Sequence, residues 1–290
     1  MIPWQSANVH IMSHGFSRGS AIFDVFGIYP GPKGPAAFRM DKHIDRLLKS
    51  AELLGMEMYY TKEQIIDAVV QSVKANTIKR GIIKILAYYG EEAVVSLIIE
   101  SKLDLAICGI PETDDMRLDQ ATPIEICFAK WRKIHPATIP VEAKACSNYL
   151  NGMLARKDAV NRGFNVGILL TTDGYVAEGS IESIFMVKDN VLKTPPLGNI
   201  LSSVTRISML EAASDIGIKT LEEQISPEEL MGADEIFVCR TGVKVLPVRK
   251  IEERVMDVAP GPVTSELSQL MSDIYHFRND RFSHWLQVIG

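Results

Sequence analysis

The chain has 290 residues, of which 47% are hydrophobic and 23% are charged, and its formal net charge is −5. A chain of this length and composition can bury a large core, and we expect two unequal α/β domains. Lysine and arginine form no basic tract, which argues against a nucleic-acid-binding surface and favours small-molecule chemistry.

The cysteine pattern and residues 1–5 are typical of a protein in a reducing compartment. Cys108, Cys127, Cys146 and Cys239 include no Cys-x-x-Cys pair, so neither a zinc site nor a disulfide framework is predicted. No histidine has a partner at metal-ligand spacing, and we predict no metal. Residues 1–5 do not open a signal peptide, and no apolar run is long enough to cross a bilayer. The predicted location is the cytoplasm, with no membrane partner.

Helical patterns in the first half of the chain have recognisable ends. Asp41 is a candidate N-cap for a helix that ends at Gly55. Thr61 is a candidate N-cap for a second helix, for which Asn76 is a plausible stop. Residues 82–89 and 93–99 predict a β-hairpin around a Gly-Glu-Glu turn.

The chain turns acidic and polar after a predicted strand at residues 103–110. Such a stretch is typical of an interdomain linker. We therefore predict a small α+β domain at 1–115, a linker at 116–121 and a larger α/β domain at 122–290.

The second half of the chain alternates strands and helices around clear turn signals. A helix is predicted at residues 148–163. Its predicted inner side consists of Tyr149, Leu150, Met153, Leu154 and Val160. The remaining predicted elements are strands at 124–128, 166–170, 183–187, 235–238 and 243–248, and helices at 205–217 and 226–231.

Three features of this half suit pyridoxal phosphate chemistry. Lys144 lies among apolar and small residues, where a lysine loses its proton more easily and can form a Schiff base. Glu178 is a carboxylate suited to pairing with a protonated pyridine nitrogen. The Ser-Val-Thr-Arg stretch at 203–206 opens a helix whose free amides suit a phosphate.

Each of these residues also has a purely structural interpretation. A lysine in a loop is usually solvated, and Glu178 could simply follow a turn. Arg46 lies on an amphipathic helix and could form a surface ion pair with Asp45 or Glu52. The order of the surrounding motifs favours the functional interpretation.

Short motifs follow one another along the chain: Lys-x3-Asn-Tyr-Leu, Gly-Tyr-x2-Glu-Gly, Leu-x-Thr-Pro-Pro, Val-Thr-Arg, Ala-Asp-Glu-Ile-Phe, Thr-x5-Pro-Val and Gly-Pro-Val-Thr. This order resembles that of the class IV aminotransferases, which are fold type IV of the pyridoxal phosphate enzymes, and the branched-chain aminotransferases in particular. The resemblance covers nearly the whole chain. It implies a fold like that of D-amino acid aminotransferase.

The resemblance implies that the cofactor contacts are Arg46, Lys144, Tyr149, Glu178, Val204, Thr205 and Thr241. Lys144 would form the Schiff base and carry the substrate's α-proton. Glu178 would face the ring nitrogen, and Tyr149 would face the phenolic oxygen. The other four residues would hold the phosphate.

The substrate side departs from the branched-chain pattern. Candidate substrate contacts are Arg18, Phe23, Lys84, Arg240, Gly242 and Val243. Arg18 stands where those enzymes usually place an aromatic residue, and Arg240 stands where a glycine is common. Two added guanidiniums would favour a substrate with a second carboxylate. Alternatively, either arginine could point to solvent or into a subunit contact.

The implied reaction is ping-pong transamination between an amino acid, branched-chain or glutamate, and a 2-oxo acid. D-amino acid aminotransferase, (R)-amine transaminase and aminodeoxychorismate lyase activities stay open on the same fold, as does a non-catalytic homologue. The resemblance also implies a homodimer, for which residues 27–35 would form a rigid, exposed contact loop.

Overall fold

The computed structural model describes residues 1–98, 100–113, 122–242 and 245–290. By its contacts the chain divides into two compact units. The first contains Met1–Thr113, Ala143–Ser147 and His284–Gly290, and the second contains the rest. The sequence placed residues 143–147 and 284–290 in the large domain, whereas both segments belong to the first unit. The predicted linker at 116–121 lies outside the described residues and stays a prediction.

The helices are α1 (His14–Arg18), α2 (Met40–Leu53), α3 (Lys62–Ala75), α4 (Tyr149–Asn161), α5 (Val204–Asp215), α6 (Pro227–Met231) and α7 (Pro262–Tyr275). The strands are β1 (Ala21–Gly31), β2 (Gly34–Phe38), β3 (Gly81–Tyr88), β4 (Asp104–Pro111), β5 (Ile124–Arg132), β6 (Val166–Leu170), β7 (Val176–Glu178), β8 (Ser183–Lys188), β9 (Val191–Thr194), β10 (Lys219–Glu222), β11 (Glu235–Cys239), β12 (Leu246–Ile251), β13 (Arg254–Val255) and β14 (Leu286–Val288). Short 3-10 helices occur at Trp4–Ser6, Cys146–Asn148 and Asp280–Trp285. Among the described residues, no helix is both long and apolar enough to cross a membrane.

The first unit is built on an antiparallel sheet with the strand order β14-β2-β1-β3-β4. Helix α2 packs on β1, and α3 packs on β4. Phe26, Ile44, Val69 and Ile83 are fully enclosed in the core that these elements share. Strand β1 and helix α2 therefore form a rigid base for the side chains that they carry.

Local end signals position the helices of the first unit. Thr61 caps α3 as predicted, because its side chain accepts from Gln64 N–H and the Gln64 side chain accepts from Thr61 N–H. Asn76 follows the end of α3, also as predicted. Helix α2 begins at Met40, so Asp41 lies in its first turn rather than at the predicted N-cap. A carboxylate in the first turn still interacts favourably with the helix dipole.

Two predictions for the first unit are wrong. Strand β3 pairs along its whole length with β4 and not with residues 93–98, which form no strand; Ile99 lies outside the described residues. Residues 27–31 continue β1 and residues 34–35 begin β2, so the predicted exposed loop at 27–35 is a hairpin with its turn at 32–33. The loop prediction fails because sheet pairing takes up residues 27–31 and 34–35. The hairpin prediction fails because the assembled sheet pairs β3 with β4.

The second unit is built on a mixed sheet with the strand order β10-β9-β8-β11-β12-β5-β6-β7 and with β13 beside β12. The pairs β9–β10, β12–β5 and β5–β6 are parallel, and the other pairs are antiparallel. Helix α4 packs on β5 and β6, and α5 contacts β10 and α7. The predicted cap of α6 is confirmed, since Ser226 accepts from Glu229 N–H. The predicted mixed α/β fold class is also confirmed.

Helix α4 faces the sheet with its small residues, so the predicted inner side is wrong. Gly152, Ala155 and Ala159 are buried, whereas Leu150, Met153 and Val160 are 58%, 55% and 59% exposed. A Cβ added to Gly152 would lie 2.1 Å from the carbonyl oxygen of Ser180. The backbone therefore approaches too closely for large side chains on that face.

Candidate active site

The main chain of Lys144 is fixed within the first unit. Ala145 forms a bridge with Ile22 of β1. Phe23 N–H donates to the Lys144 carbonyl at 3.0 Å, and Lys144 N–H donates to Ser50 Oγ at 3.0 Å. The backbone of this candidate catalytic residue is thus attached to both β1 and α2.

The candidate substrate residue Phe23 lies next to the Lys144 amine. Lys144 Nζ lies 4.8 Å from the centroid of the Phe23 ring. Lys84 Nζ lies 5.1 Å from the same centroid, within the range of a cation–π contact. The structure therefore brings these three predicted site residues together on β1, β3 and the 143–147 segment.

Arg46 points inward from α2 and pairs with an acid that the sequence did not identify. Its side chain is 9% exposed, and Asp24 of β1 is fully buried. Arg46 Nε and Nη2 each donate to a carboxylate oxygen of Asp24 at 2.8 Å. The predicted alternative partners are engaged elsewhere, since Asp45 pairs with Lys62 and Glu52 pairs with Lys49. Arg46 is therefore not a surface residue.

Glu178 of the second unit lies at the end of β7 beside a cation. Its side chain is 12% exposed, and Lys133 Nζ lies 2.5 Å from Glu178 Oε1. Leu201 N–H donates to the other carboxylate oxygen at 3.4 Å. Sequence reasoning missed Lys133, which lies just beyond β5 and has no motif that links it to Glu178. Together the ion pair and the amide hold a buried carboxylate in place.

The amino end of α5 is a buried anion-binding candidate. Ser203 caps the helix, and its hydroxyl accepts the N–H of Arg206 at 3.3 Å. Val204 and Thr205 are buried, and helix geometry leaves the N–H groups of such first residues without an acceptor inside the helix. A buried helix start with donors and positive dipole charge suits a phosphate.

Arg206 of the same motif has a structural role. It is 1% exposed and donates from Nη2 to the Pro195 carbonyl at 2.7 Å and to Glu222 Oε2 at 2.6 Å. These bonds tie the start of α5 to β10 and to the segment that follows β9. The motif therefore combines a structural arginine with two residues of a candidate phosphate site.

The remaining predicted cofactor and substrate residues of the second unit lie at ends of elements. Tyr149 is the first residue of α4. Thr241 and Gly242 follow β11, and Gly242 has a φ of 92°, a conformation that favours glycine. Val243 lies outside the described residues.

The two arginines of the substrate prediction lie in different settings. Arg18 is exposed, and it donates to the Val94 carbonyl at 3.2 Å. Arg240 Nε lies 3.7 Å from Glu182 Oε1, and Arg156 Nη2 donates to the same oxygen at 2.5 Å. Arg240 also lines a cavity of about 840 Å³ beside α4, whose lining includes Tyr149, Leu150, Met153, Val160 and Ile181.

The cysteines are free of disulfides. Burial raises the pKa of Cys127 to about 11 and raises that of Cys239 well above its usual range. Thiols with raised pKa values are poor nucleophiles at neutral pH. In the described part of the chain, no cluster of three or more His, Cys, Asp or Glu residues could hold a metal ion.

Comparison with known proteins identifies similar sequences and folds. Residues 21–251 match the family model described as amino-transferase class IV. The branched-chain-amino-acid aminotransferase of Salmonella typhimurium is 31% identical over 296 residues, which is 100% of this chain and 95% of that protein. The structure of the branched-chain aminotransferase of Thermoproteus uzoniensis with norvaline superimposes on this chain with a TM-score of 0.94 and 32% sequence identity. The match covers 100% of this chain and 96% of the Thermoproteus chain. The branched-chain aminotransferase of Escherichia coli gives 0.94 at 30% identity, with coverage of 100% and 97%. The resemblance predicted from the motifs is confirmed.

Proposed function

This chain belongs to the class IV aminotransferases, a family of pyridoxal phosphate-dependent transaminases, and we propose that it moves amino groups between branched-chain amino acids and 2-oxo acids. The observation that carries the proposal is that the likeness to branched-chain aminotransferases extends over the whole chain in sequence and in fold. Glutamate and 2-oxoglutarate are the proposed common pair. In support, a branched-chain aminotransferase of the same fold, 28% identical to this chain with a TM-score of 0.93, was solved in complex with N-(5′-phosphopyridoxyl)-L-glutamate.

The donor set of this chain fits pyridoxal 5′-phosphate. A phosphate needs N–H donors, which the buried start of α5 would supply, and it also needs a cation, which the buried guanidinium of Arg46 would supply. A pyridine nitrogen needs a carboxylate, which Glu178 supplies. An aldehyde needs an amine on a fixed backbone, which Lys144 supplies. When bound, the cofactor would take up the electrons left on the substrate's α-carbon.

Each residue has a proposed task in this reaction. Lys144 Nζ would hold the cofactor and would then move the proton at the substrate's α-carbon. Glu178 would keep a negative charge at the ring nitrogen, and Lys133 and Leu201 N–H fix that carboxylate. The Tyr149 hydroxyl would bind the phenolic oxygen. Val204, Thr205, Thr241 and Arg46 would bind the phosphate.

The settings of the two candidate arginines favour an apolar substrate side chain over an acidic one. The Phe23 ring lies next to the Lys144 amine. Arg240 is close to the buried Glu182 carboxylate, and Arg18 is exposed and bonded to the Val94 carbonyl. An arginine whose charge faces a carboxylate has less attraction left for a second carboxylate on a substrate.

A half-reaction screen tests this function and separates it from the alternatives. Purified holoenzyme is mixed with L-leucine, L-valine, L-glutamate, D-alanine or an (R)-amine, while the absorbance band of the cofactor is followed. We expect the L-amino acids to change the band, with Lys144→Ala as the inactive control. A response to D-alanine or to the (R)-amine alone would refute the proposed substrate class, and no response to any donor would favour a non-catalytic homologue.

We also propose that the protein is a homodimer that contacts its partner through the outer face of α4. Leu150, Met153 and Val160 are more than half exposed there, and they line the same cavity as the exposed Ile181. An exposed apolar patch of this kind marks an interaction surface. Sedimentation of wild type and of Met153→Asp tests this proposal, and a fully active wild-type monomer would overturn it.

A cytoplasmic location stays a prediction of the sequence.

A further inference from the structure

A buried cluster of charged and titratable side chains joins β1 to α2. Asp24 is fully buried, and the side chains of His43 and Arg46 are 2% and 9% exposed. Arg46 donates to both carboxylate oxygens of Asp24 at 2.8 Å. His43 Nδ1 lies 2.6 Å from Asp24 Oδ1, and Val25 N–H donates to the same oxygen at 2.7 Å. The carboxylate is therefore held by donors on several sides.

The charges in this cluster are fixed at neutral pH. Burial alone raises the pKa of Asp24, but the charge of Arg46 and the contacts with His43 hold this pKa well below its usual range. An ionised carboxylate only accepts hydrogen bonds, so His43 Nδ1 carries the proton. Burial lowers the pKa of His43 and outweighs the opposite effect of Asp24. The cluster therefore contains one anion, one cation and one neutral ring.

The Arg46 guanidinium is held in one orientation. Two parallel hydrogen bonds to one carboxylate fix the plane of a guanidinium. The ring of His43, which supports that carboxylate, packs on Phe26 with centroids 5.4 Å apart. One helical turn later, Ser50 Oγ donates to the Arg46 carbonyl at 2.8 Å and accepts Lys144 N–H at 3.0 Å. The same stretch of α2 thus places both Arg46 and Lys144.

We propose that Asp24 and His43 are positioning residues that hold the Arg46 guanidinium ready to bind a phosphate group. The proposal rests on the proposed function, in which Arg46 binds the phosphate of the cofactor. A flexible arginine loses rotamer freedom when it binds an anion, whereas a side chain that is already held does not lose that freedom again. Asp24 and His43 would thus raise the affinity for the phosphate by acting through Arg46.

Asp24 has two opposite effects on the binding of a phosphate at Arg46. Its negative charge weakens the binding, whereas the orientation that it imposes on the guanidinium strengthens the binding. Asp24 offsets part of the positive charge of Arg46 and so reduces the attraction for a phosphate. Without Asp24, however, the buried guanidinium would lose its counter-charge and the two hydrogen bonds that orient it. A guanidinium in that position would reorient, so we expect the loss of position to outweigh the gain in net charge.

Asp24→Asn tests the proposal because it keeps the size of the side chain and removes its charge. The apoenzyme is titrated with pyridoxal 5′-phosphate and, separately, with pyridoxal, which lacks the phosphate. We expect the dissociation constant for pyridoxal 5′-phosphate to rise at least about ten-fold, as when an orienting partner of a ligand-binding side chain is lost. The dissociation constant for pyridoxal should not change. Asp45→Asn on the same helix, which removes an exposed partner of Lys62, should change neither.

Two variants of His43 provide an independent test, including the case in which Asp24→Asn does not fold. His43→Asn keeps an N–H donor near the position of Nδ1, and His43→Leu removes it. We expect His43→Leu to weaken binding of pyridoxal 5′-phosphate alone and His43→Asn to restore much of it. A purely structural role would weaken the binding of both compounds together, or of neither, and that result would overturn the proposal.

Arg46→Met separates this proposal from the proposed function. If Arg46→Met leaves the affinity for pyridoxal 5′-phosphate unchanged, the assignment of Arg46 to the phosphate fails. If Arg46→Met weakens that affinity and Asp24→Asn does not, the assignment stands and the positioning role is overturned. In the Arg46→Met background, Asp24→Asn should add no further loss, because its effect acts through the arginine.

Discussion

Replacing Glu178 by glutamine should leave the cofactor bound and remove most of the turnover. The amide keeps the size of the side chain but has no charge to hold a proton on the ring nitrogen. Its oxygen can still accept from Lys133, which lies 2.5 Å from Glu178 Oε1. Its NH2 group would then face Leu201 N–H, so two donors would meet where an acceptor now lies. Loss of one preorganised electrostatic group typically costs about 2.7–4 kcal/mol, or roughly 10²–10³ in kcat.

The assay is rapid mixing of holoenzyme with leucine, in which the decay of the cofactor band gives the rate of a single half-reaction. Equilibrium titration of the apoenzyme gives the affinity for the cofactor, which we expect to change little because the phosphate contacts are kept. Asp234→Asn is the matched control, since it removes the carboxylate from another lysine pair of the same unit, that with Lys188. A wild-type rate in Glu178→Gln would show that Glu178 is not the partner of the ring nitrogen.

Lys144, Gly152 and His43 each give one further prediction. Borohydride reduction should fix the cofactor on Lys144, and a peptide map that places it on another lysine would refute the assignment. Gly152→Ala should lower the free energy of unfolding by about 1–3 kcal/mol in urea titration, because its Cβ would lie 2.1 Å from the Ser180 carbonyl oxygen. The control Gln71→Ala, at an exposed position of α3, should stay within about 0.5 kcal/mol of wild type. Burial lowers the pKa of His43 from 6.5, so below about pH 6.5 the unfolded chain binds a proton that the folded protein does not. The free energy of unfolding should therefore decrease below about pH 6.5, by up to about 1.4 kcal/mol per pH unit. The decrease should be smaller in His43→Asn, and an equal dependence on pH in both proteins would contradict the prediction.

Features of the fold that depend on residues close together in the sequence could be predicted from the sequence alone. The capping box at Thr61 is one example, because both of its hydrogen bonds lie within one helical turn. The cap of α6 by Ser226 is another. The partner of β3 could not be predicted in this way, since residues 93–98 and β4 both carry apolar runs and only the assembled sheet selects between them.

The ion pairs around the candidate site were missed for a related reason. Asp24 and Arg46 lie on different elements, as do Lys133 and Glu178, and no spacing rule connects such residues. A buried acid in a strand is indistinguishable from an exposed one until the fold is known. The motifs predicted which residues would do chemistry, whereas the charges that orient those residues depend on long-range packing.

Helix α4 shows why hydrophobic periodicity alone can select the wrong face. Large apolar residues normally mark the buried side of a helix, yet here the sheet is approached by Gly152, Ala155 and Ala159. Small residues allow a backbone to come close, and they contribute little to a hydrophobic pattern. The large residues Leu150 and Met153 are left exposed on the other side. Helix α4 thus packs its small-residue face on its own sheet and turns an apolar face outward. A second surface that covers the outer face would remove those apolar side chains from water, which is the physical basis of the proposed dimer.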